Sequence, residues 1–349
     1  MKRIVGIDLF CGIGGLTHGL FKAGIKIVAG FDNDLSCKTS FSQKLNGNPK
    51  FVHADLRKIS KCDVVKYFPK NCYKLVAGCA PCQPYSLYQK NKSSNDILKH
   101  SSYGLIQEYL KIVNWVQPHF VVMENVPNLK NDQYFKNEFL FFFRKNYLVD
   151  YQIVNMINYG APQNRRRLLF LGVKKTISKS LKNIFIPNGH IKQGKSVFKS
   201  IGSLPKIRAG ERDKIDRWHV CSKLSSLNLK RIRNSIVGGT WNDWPENLLP
   251  NCYKKISGKT FSAVYGRIDP NKPSPTLTTQ FNRYGSGRFG HYEQDRGLSI
   301  REGAILQTFP KKYQFDIKLG ITAVARQIGN AVPPIFAEKL GKKLIQLIK

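Results

Sequence analysis

Acidic residues are scarce in this 349-residue chain, with 22 Asp plus Glu against 57 Lys plus Arg and a formal net charge of +35. That excess is more than solubility requires, and it predicts attraction to a polyanion, nucleic acid first. An anionic membrane surface would attract the same charge. However, the chain has no run approaching the roughly 18 consecutive apolar residues of a transmembrane helix. Its longest aromatic-rich run, Phe139 to Phe143, is flanked by Glu138 and Arg144. The apolar start at Ile4-Val5 hints at a secretory leader, but Asp8 interrupts it, and the segment reads as a buried first strand. A disulfide framework is also missing: eight cysteines are scattered without regular spacing, so reduced thiols and a cytoplasmic setting are expected. Cys79-Ala80-Pro81-Cys82 is a C-x-x-C, yet neither Cys62/Cys72 nor Cys221/Cys252 supplies a second pair at ligand spacing, so no metal is expected. Internal repeats and low-complexity tails are lacking too.

What is present is an alternation of strand-like apolar runs with amphipathic helical stretches, which predicts a doubly wound α/β sheet. Strands are expected at Ile4 to Phe10, Ile25 to Phe31, Phe51 to Ala54, Lys74 to Ala77, Phe120 to Met123, Tyr151 to Asn158 and Leu168 to Val173. Helices are expected near Leu16 to Phe21, Leu105 to Trp115 and Pro333 to Lys349. Between Leu181 and Thr260 the chain becomes polar and irregular, with a net charge of +11 over 80 residues, somewhat denser than elsewhere. This suits a separate DNA-facing domain, although a solvated insertion would look similar.

Chemistry-bearing residues gather at the expected strand ends, where ligands of open α/β sheets bind. Phe10-Cys11-Gly12-Ile13-Gly14-Gly15 follows strand one, and bare backbone there can approach a ligand. The spacing is not the G-x-G-x-x-G of pyrophosphate binding, so an adenosine-type cofactor without that group is implied. Asp32, in Asp32-Asn33-Asp34, can accept from ribose hydroxyls, and Asp55 stands where an adenine amine could be met. The bland alternative is a tight turn plus two helix-capping aspartates. Strand four leads into Gly78-Cys79-Ala80-Pro81-Cys82-Gln83-Pro84, a loop stiffened by two prolines that suits a placed nucleophile. A thiolate there needs positive surroundings, which this chain offers. Glu124 ends strand five as a candidate hydrogen-bond donor or acid. Gln163-Asn164-Arg165-Arg166-Arg167 precedes another strand, and alternation aims Arg165 and Arg167 the same way. Each of these, alone, could equally be a buried thiol, a cap or a solvated face.

Together they are specific. Cys82 in Pro-Cys-Gln, Glu124 in Glu-Asn-Val and Gln-x-Arg-x-Arg, in that order, resemble the bacterial-type DNA (cytosine-5) methyltransferase family of restriction-modification systems. The glycine cluster resembles its cofactor motif. Arg301-Glu302 through Leu306-Gln307-Thr308-Phe309-Pro310, and Gln327-Ile328-Gly329-Asn330-Ala331-Val332-Pro333, resemble its closing motifs. The resemblance covers nearly the whole chain and implies a doubly wound S-adenosylmethionine-dependent methyltransferase fold with a smaller, irregular DNA-recognition domain. The large domain is expected at 1–183 and 318–349, and the small one, with its hinge, at 184–317.

The resemblance also implies roles. Cys82 adds to cytosine C6, Glu124 contacts the N3 edge, and Arg167, with Arg165 as second choice, stabilises charge near O2. Phe10 stacks near adenine, Gly12, Gly14 and Gly15 form the cradle, Asp32 holds the ribose, and Asp55 meets the adenine amine. Asn33 stands where an aromatic or apolar neighbour is common, and Asn330 covers the methionine part. Leu87 to Ser102, with Lys90, Lys92 and Lys99, is the implied lid over an extruded base. Cys79 is an extra thiol, and Tyr85 replaces a more usual Phe. Sequence readout is expected from the variable region, with Lys230, Arg231, Ile232, Arg233, Trp241, Trp244 and Arg283 as candidates. Double-stranded DNA is the expected partner, with a tRNA substrate and a non-catalytic DNA-binding homologue as rivals. A cognate restriction endonuclease need not touch the protein, and a monomer is expected.

Overall fold

The computed structural model describes residues 3–81, 104–178, 186–189, 191, 194–253 and 263–348. Cys82 and the implied lid at 87–102 lie outside the described residues. The chain divides into two compact units, one of Met1–Tyr159, Arg166–His190 and Val332–Lys349, the other of Gly160–Arg165 and Ile191–Ala331.

In the first unit the continuous apolar runs become strands buried on both faces, as parallel sheets require. β1 (Ile4–Leu9), β2 (Lys26–Asp32), β3 (Lys50–His53), β4 (Tyr73–Gly78), β5 (Phe120–Asn125), β6 (Tyr147–Asn155) and β7 (Arg166–Lys174) form one sheet in the order β3-β2-β1-β4-β5-β7-β6. β1 pairs parallel with both β2 and β4, while β7 runs antiparallel to β5 and β6. The order reverses between β1 and β4, so the carboxyl ends of those strands flank the crevice where such sheets bind ligands.

Helix Leu105–Val116 buries Ile106, Tyr109, Ile112, Val113 and Val116, one helical face, and the Tyr109 hydroxyl donates to the Val122 carbonyl at 2.9 Å. The aromatic run packs as a column: Phe135, Phe139 and Phe143 have centroids 5.2 and 4.9 Å apart, and Phe139 meets Phe170 edge-on at 5.0 Å. Phe141 points outward beneath the Lys145 ammonium, 4.6 Å from its ring. Helix Gly15–Lys22 lies against helix Pro334–Gln346 so closely that a Cβ on Gly19 would sit 2.2 Å from the Pro334 carbonyl oxygen. β6 begins at Tyr147 and ends at Asn155, earlier than the expected Tyr151 to Asn158, and 156–159 form a 3-10 turn. As an edge strand with mostly half-buried side chains, β6 carries little alternation to mark its ends.

The second unit has few regular elements, chiefly helices Ser226–Arg233, Ile300–Leu306 and Ile321–Asn330. Its division from the first departs from the expected boundaries at 184 and 318. Residues 186–189 group with the first unit, where Ile186 N–H donates to Asp150 at 2.7 Å and Tyr159 to the Pro187 carbonyl at 2.7 Å. Residues 160–165 and 318–331 group with the second, where Gln307 accepts from Gln163 at 2.6 Å and donates to the Ala331 carbonyl.

Four expected DNA readers are core here. Ile232, Trp241 and Trp244 are buried with Leu248 and Tyr284, and Trp241 stacks on Tyr253 at 4.5 Å. Arg231 donates to the Leu248 carbonyl at 2.9 Å and lies 5.5 Å from the Trp244 ring. An irregular domain must take its stability from such a cluster. Lys230, Arg233 and Arg283 remain exposed.

Candidate active site

β1 ends in a left-handed turn, with φ 56° at Phe10, 48° at Gly12 and 85° at Gly14, conformations that favour glycine at the last two positions. A Cβ on Gly12 would meet no described heavy atom within 4 Å, so its backbone lines open space. Gly14 precedes the helix that begins at Gly15. Asp32, at the end of β2, accepts from Gly12 N–H at 2.8 Å and Asp34 N–H at 2.9 Å. Burial nevertheless raises its pKa above the ordinary carboxylate value, against these bonds. Behind it Asp8, fully buried in β1, accepts from the Thr17 hydroxyl at 2.6 Å. Burial pushes the Asp8 pKa up to about 7, and the nearby Asp32 charge adds to that rise. Asn33 is exposed, its carbonyl 3.1 Å from His53 Nε2. Asp55 is already engaged: Arg57 approaches its oxygens at 2.9 and 2.7 Å and holds its pKa below the usual value.

On the other side of the β1/β4 switch point, Glu124 sits near the end of β5, only 3% exposed. The Cys79 thiol, just past β4, donates to its Oε2 at 2.8 Å. Arg167, in β7, brings Nε to 3.0 Å from Oε1 as an ion pair. That approach is not aligned as a hydrogen bond, and Oε1 takes none among the described residues. Neighbouring Asn125 donates to the Ala80 carbonyl at 3.1 Å, tying down the chain two residues before Cys82.

The first unit therefore assembles two groups of expected residues: Phe10, Gly12, Gly14, Gly15 and Asp32 at one set of strand ends, and Glu124 with Arg167 at another. Arg165 and Asn330 belong to the second unit. Arg165 is buried there, donating to the Leu277 carbonyl at 3.3 Å, and Asn330 is an exposed helix end. The motif residues Gln163 and Gln307 bond to each other, and Gln163 also accepts from Leu277 N–H at 3.0 Å, a structural use of two motif positions. Asp8, which heads the run from Asp8 to Gly15 at the end of strand one, was given no role in reading the sequence, although a carboxyl within an apolar strand was a visible signal. That reading also missed Arg57, Asn125 and the Cys79–Glu124 contact, which joins residues 45 positions apart.

Comparison with known proteins bears on the family and the fold. The profile of the family described as C-5 cytosine-specific DNA methylase matches residues 4–346. The chain is 38% identical over 348 residues to the Type II methylase M.HgiDII of Herpetosiphon aurantiacus, covering 98% of this chain and 95% of that protein. It is 30% identical over 346 residues to the Type II methyltransferase M1.HphI of Haemophilus parahaemolyticus, covering 98% and 86% respectively. In fold it is similar to an E. coli prophage protein described as a DNA modification methyltransferase, with TM-score 0.76, 23% identity and 99% of each chain covered.

Proposed function

The chain belongs to the C-5 cytosine-specific DNA methylase family, and we propose that it methylates C5 of a cytosine extruded from a specific duplex sequence, using S-adenosylmethionine. The observation that carries the reading is Glu124, a buried carboxyl at a strand end whose Oε1 takes no hydrogen bond among the described residues. Such an atom costs stability unless a ligand completes it.

The glycine cradle fits the proposed donor. No described heavy atom lies within 4 Å of where a Gly12 Cβ would stand, Asp32 is held by two backbone donors with acceptor capacity left over, and Phe10 is half-buried beside them. When bound, the donor supplies an electrophilic methyl group on a positively charged sulfur. Asp32 would hold the ribose and the Gly12–Gly15 backbone would admit close approach. Asp55 would share its carboxylate between Arg57 and the adenine amine.

Cytosine C5 is a weak nucleophile. Cys82 as thiolate would add to C6, converting C5 into an enamine carbon able to take the methyl group as its bond to the donor's sulfur breaks and leaves a neutral thioether. Negative charge grows on the ring during addition; a proton shared between Glu124 and N3 would neutralise it, while the other Glu124 oxygen would accept from the exocyclic amine, as preorganised polar groups do in dry sites. Arg167 holds Glu124 in place and offers a second donor toward the ring. Loss of the C5 proton and β-elimination return Cys82, leaving 5-methylcytosine. Extruding the base costs a few kcal/mol of stacking, roughly what a tight pocket can repay. The Type II names of the relatives support a protective methylase of a restriction-modification system.

The test supplies labelled S-adenosylmethionine with mixed duplex DNA or tRNA to the wild type and to Cys82→Ser, followed by bisulfite sequencing of any product. Cys82-dependent label at duplex cytosines is expected and would reveal the site. Label on tRNA alone would move the substrate to RNA, and none on either would leave a binding protein.

A further inference from the structure

The position before Ala80-Pro81 carries a thiol that the proposed chemistry does not use. Cys79 is neither a core filler nor fully exposed, and its Sγ lies 2.8 Å from Glu124 Oε2. Glu124 is otherwise approached by the Arg167 guanidinium at Oε1, 3.0 Å away and out of line for a hydrogen bond. Among the described residues the carboxyl group is thus held asymmetrically, with one oxygen bonded by a thiol and the other buried, ion-paired and without a hydrogen bond. A carboxylate side chain ending in a broad two-fold torsion needs such a contact to hold one plane. Thiols are weak donors, so the contact orients Oε2 without saturating it.

We propose that Cys79 is a positioning residue for Glu124: its S–H fixes the carboxyl plane so that Oε1 faces the edge of the target base. The inference rests on the methyl-transfer reading. It requires Cys79 to stay protonated, because a thiolate beside the Glu124 carboxylate would repel it. The two cysteines of the C-x-x-C then do different work, Cys82 forming a bond to carbon and Cys79 donating a hydrogen bond.

The experiment compares wild type, Cys79→Ala, Cys79→Ser and Cys82→Ser in single-turnover methylation of duplex DNA, with separate titrations of DNA and S-adenosylmethionine binding and a thermal melt of each. Cys79→Ala should lower the methyl-transfer rate about ten-fold, the worth of one modest hydrogen bond. Both dissociation constants should stay within about two-fold of wild type, since one hydrogen bond to Glu124 contributes little to either. Cys79→Ser, which keeps a donor, should recover most of the rate. An unchanged rate in Cys79→Ala would overturn the proposal. So would equal losses in Ala and Ser variants accompanied by lowered melting temperatures, which would make Cys79 a packing residue. A wild type with no Cys82-dependent transfer would instead remove the methyl-transfer reading itself, and with it this inference.

Discussion

A carboxyl group buried as deeply as Glu124 is expensive unless its oxygens are partnered, and among the described residues Oε1 has the Arg167 charge at 3.0 Å but no hydrogen bond, which leaves it able to take a donor from a ligand. Glu124→Gln keeps the shape but replaces one acceptor with an amide. Methyl transfer should fall on the order of 100-fold, as when one transition-state hydrogen-bonding group is removed, while S-adenosylmethionine binding, measured by calorimetry, stays unchanged. A variant that methylates at the wild-type rate would take Glu124 out of the chemistry. Asp32 gives the complementary case. It already accepts from two backbone N–H groups, and Asp32→Asn turns one accepting oxygen into a donor facing them. Cofactor affinity should drop about ten-fold, through lost acceptor capacity and a loosened glycine turn. At this scale the sequence was most informative where a residue type is chemically unusual for its surroundings, as with Glu124, Arg167 and the Gly12–Gly14 turn. It was silent where function rests on distance. Nothing in the residues 79 and 124 taken separately indicates their contact, and Trp241 and Trp244 read as sequence-readout candidates because composition cannot distinguish a buried ring from an exposed one.

The elements differ in how pH acts on them. In the second unit, helix Ile300–Leu306 starts with a capping box in which Glu302 accepts from Ser299 N–H at 2.7 Å while pairing with buried Arg296 at 2.7 and 2.8 Å. Burial opposes the Glu302 charge, but Arg296 outweighs it and holds the Glu302 pKa at about 2. Beside it His291 is lowered by burial to about 4, so it is neutral in the folded state. Between pH 6.5 and 4 the unfolded chain takes up the His291 proton and the folded chain does not, so this contribution to stability is lost as pH falls through that window. Asp8 in β1 acts with the opposite sign. Its folded pKa of about 7 against 3.8 makes the folded state bind the extra proton, so stability falls as pH rises from 3.8 to 7. Asp8→Asn removes that opposing trend. In this background the urea midpoint should decline steadily from pH 6.5 to 4, more steeply than in the wild type, and identical slopes would refute the assignment. The strands of the first unit were legible because parallel strands buried on both faces leave continuous apolar runs, while β6, half-buried at an edge, was misplaced. The second unit was legible only as an irregular basic segment and the closing motifs, since isolated bridges held by Arg267 leave no period to read. That side chain donates to the carbonyls of Ile232, Ser235, His291 and Gln294 at 2.8 to 3.2 Å.

For the molecule as a whole, a net charge of +35 makes DNA association a salt-dependent equilibrium before any base is read. Each phosphate neutralised by Lys or Arg releases counterions and steepens the decline of log K with log salt by about 0.9. Among the candidate readers named from sequence, burial leaves the cations Lys230, Arg233 and Arg283 exposed, and Arg233 already pairs with Asp295 at 3.2 Å. Binding isotherms between roughly 50 and 200 mM salt, on the methylated sequence and on an unrelated duplex, separate two roles. If Lys230 contacts phosphate, Lys230→Ala should flatten the slope by about 0.9 on both duplexes. If Arg283 reads a guanine edge, Arg283→Ala should cost about 1–3 kcal/mol on the methylated sequence and much less on the other. Arg233→Ala should move the slope less than Lys230→Ala, because Asp295 already offsets its charge. Should all three variants match wild type on both duplexes, the unit's positive charge would be a solvated surface, and recognition would have to come from other residues.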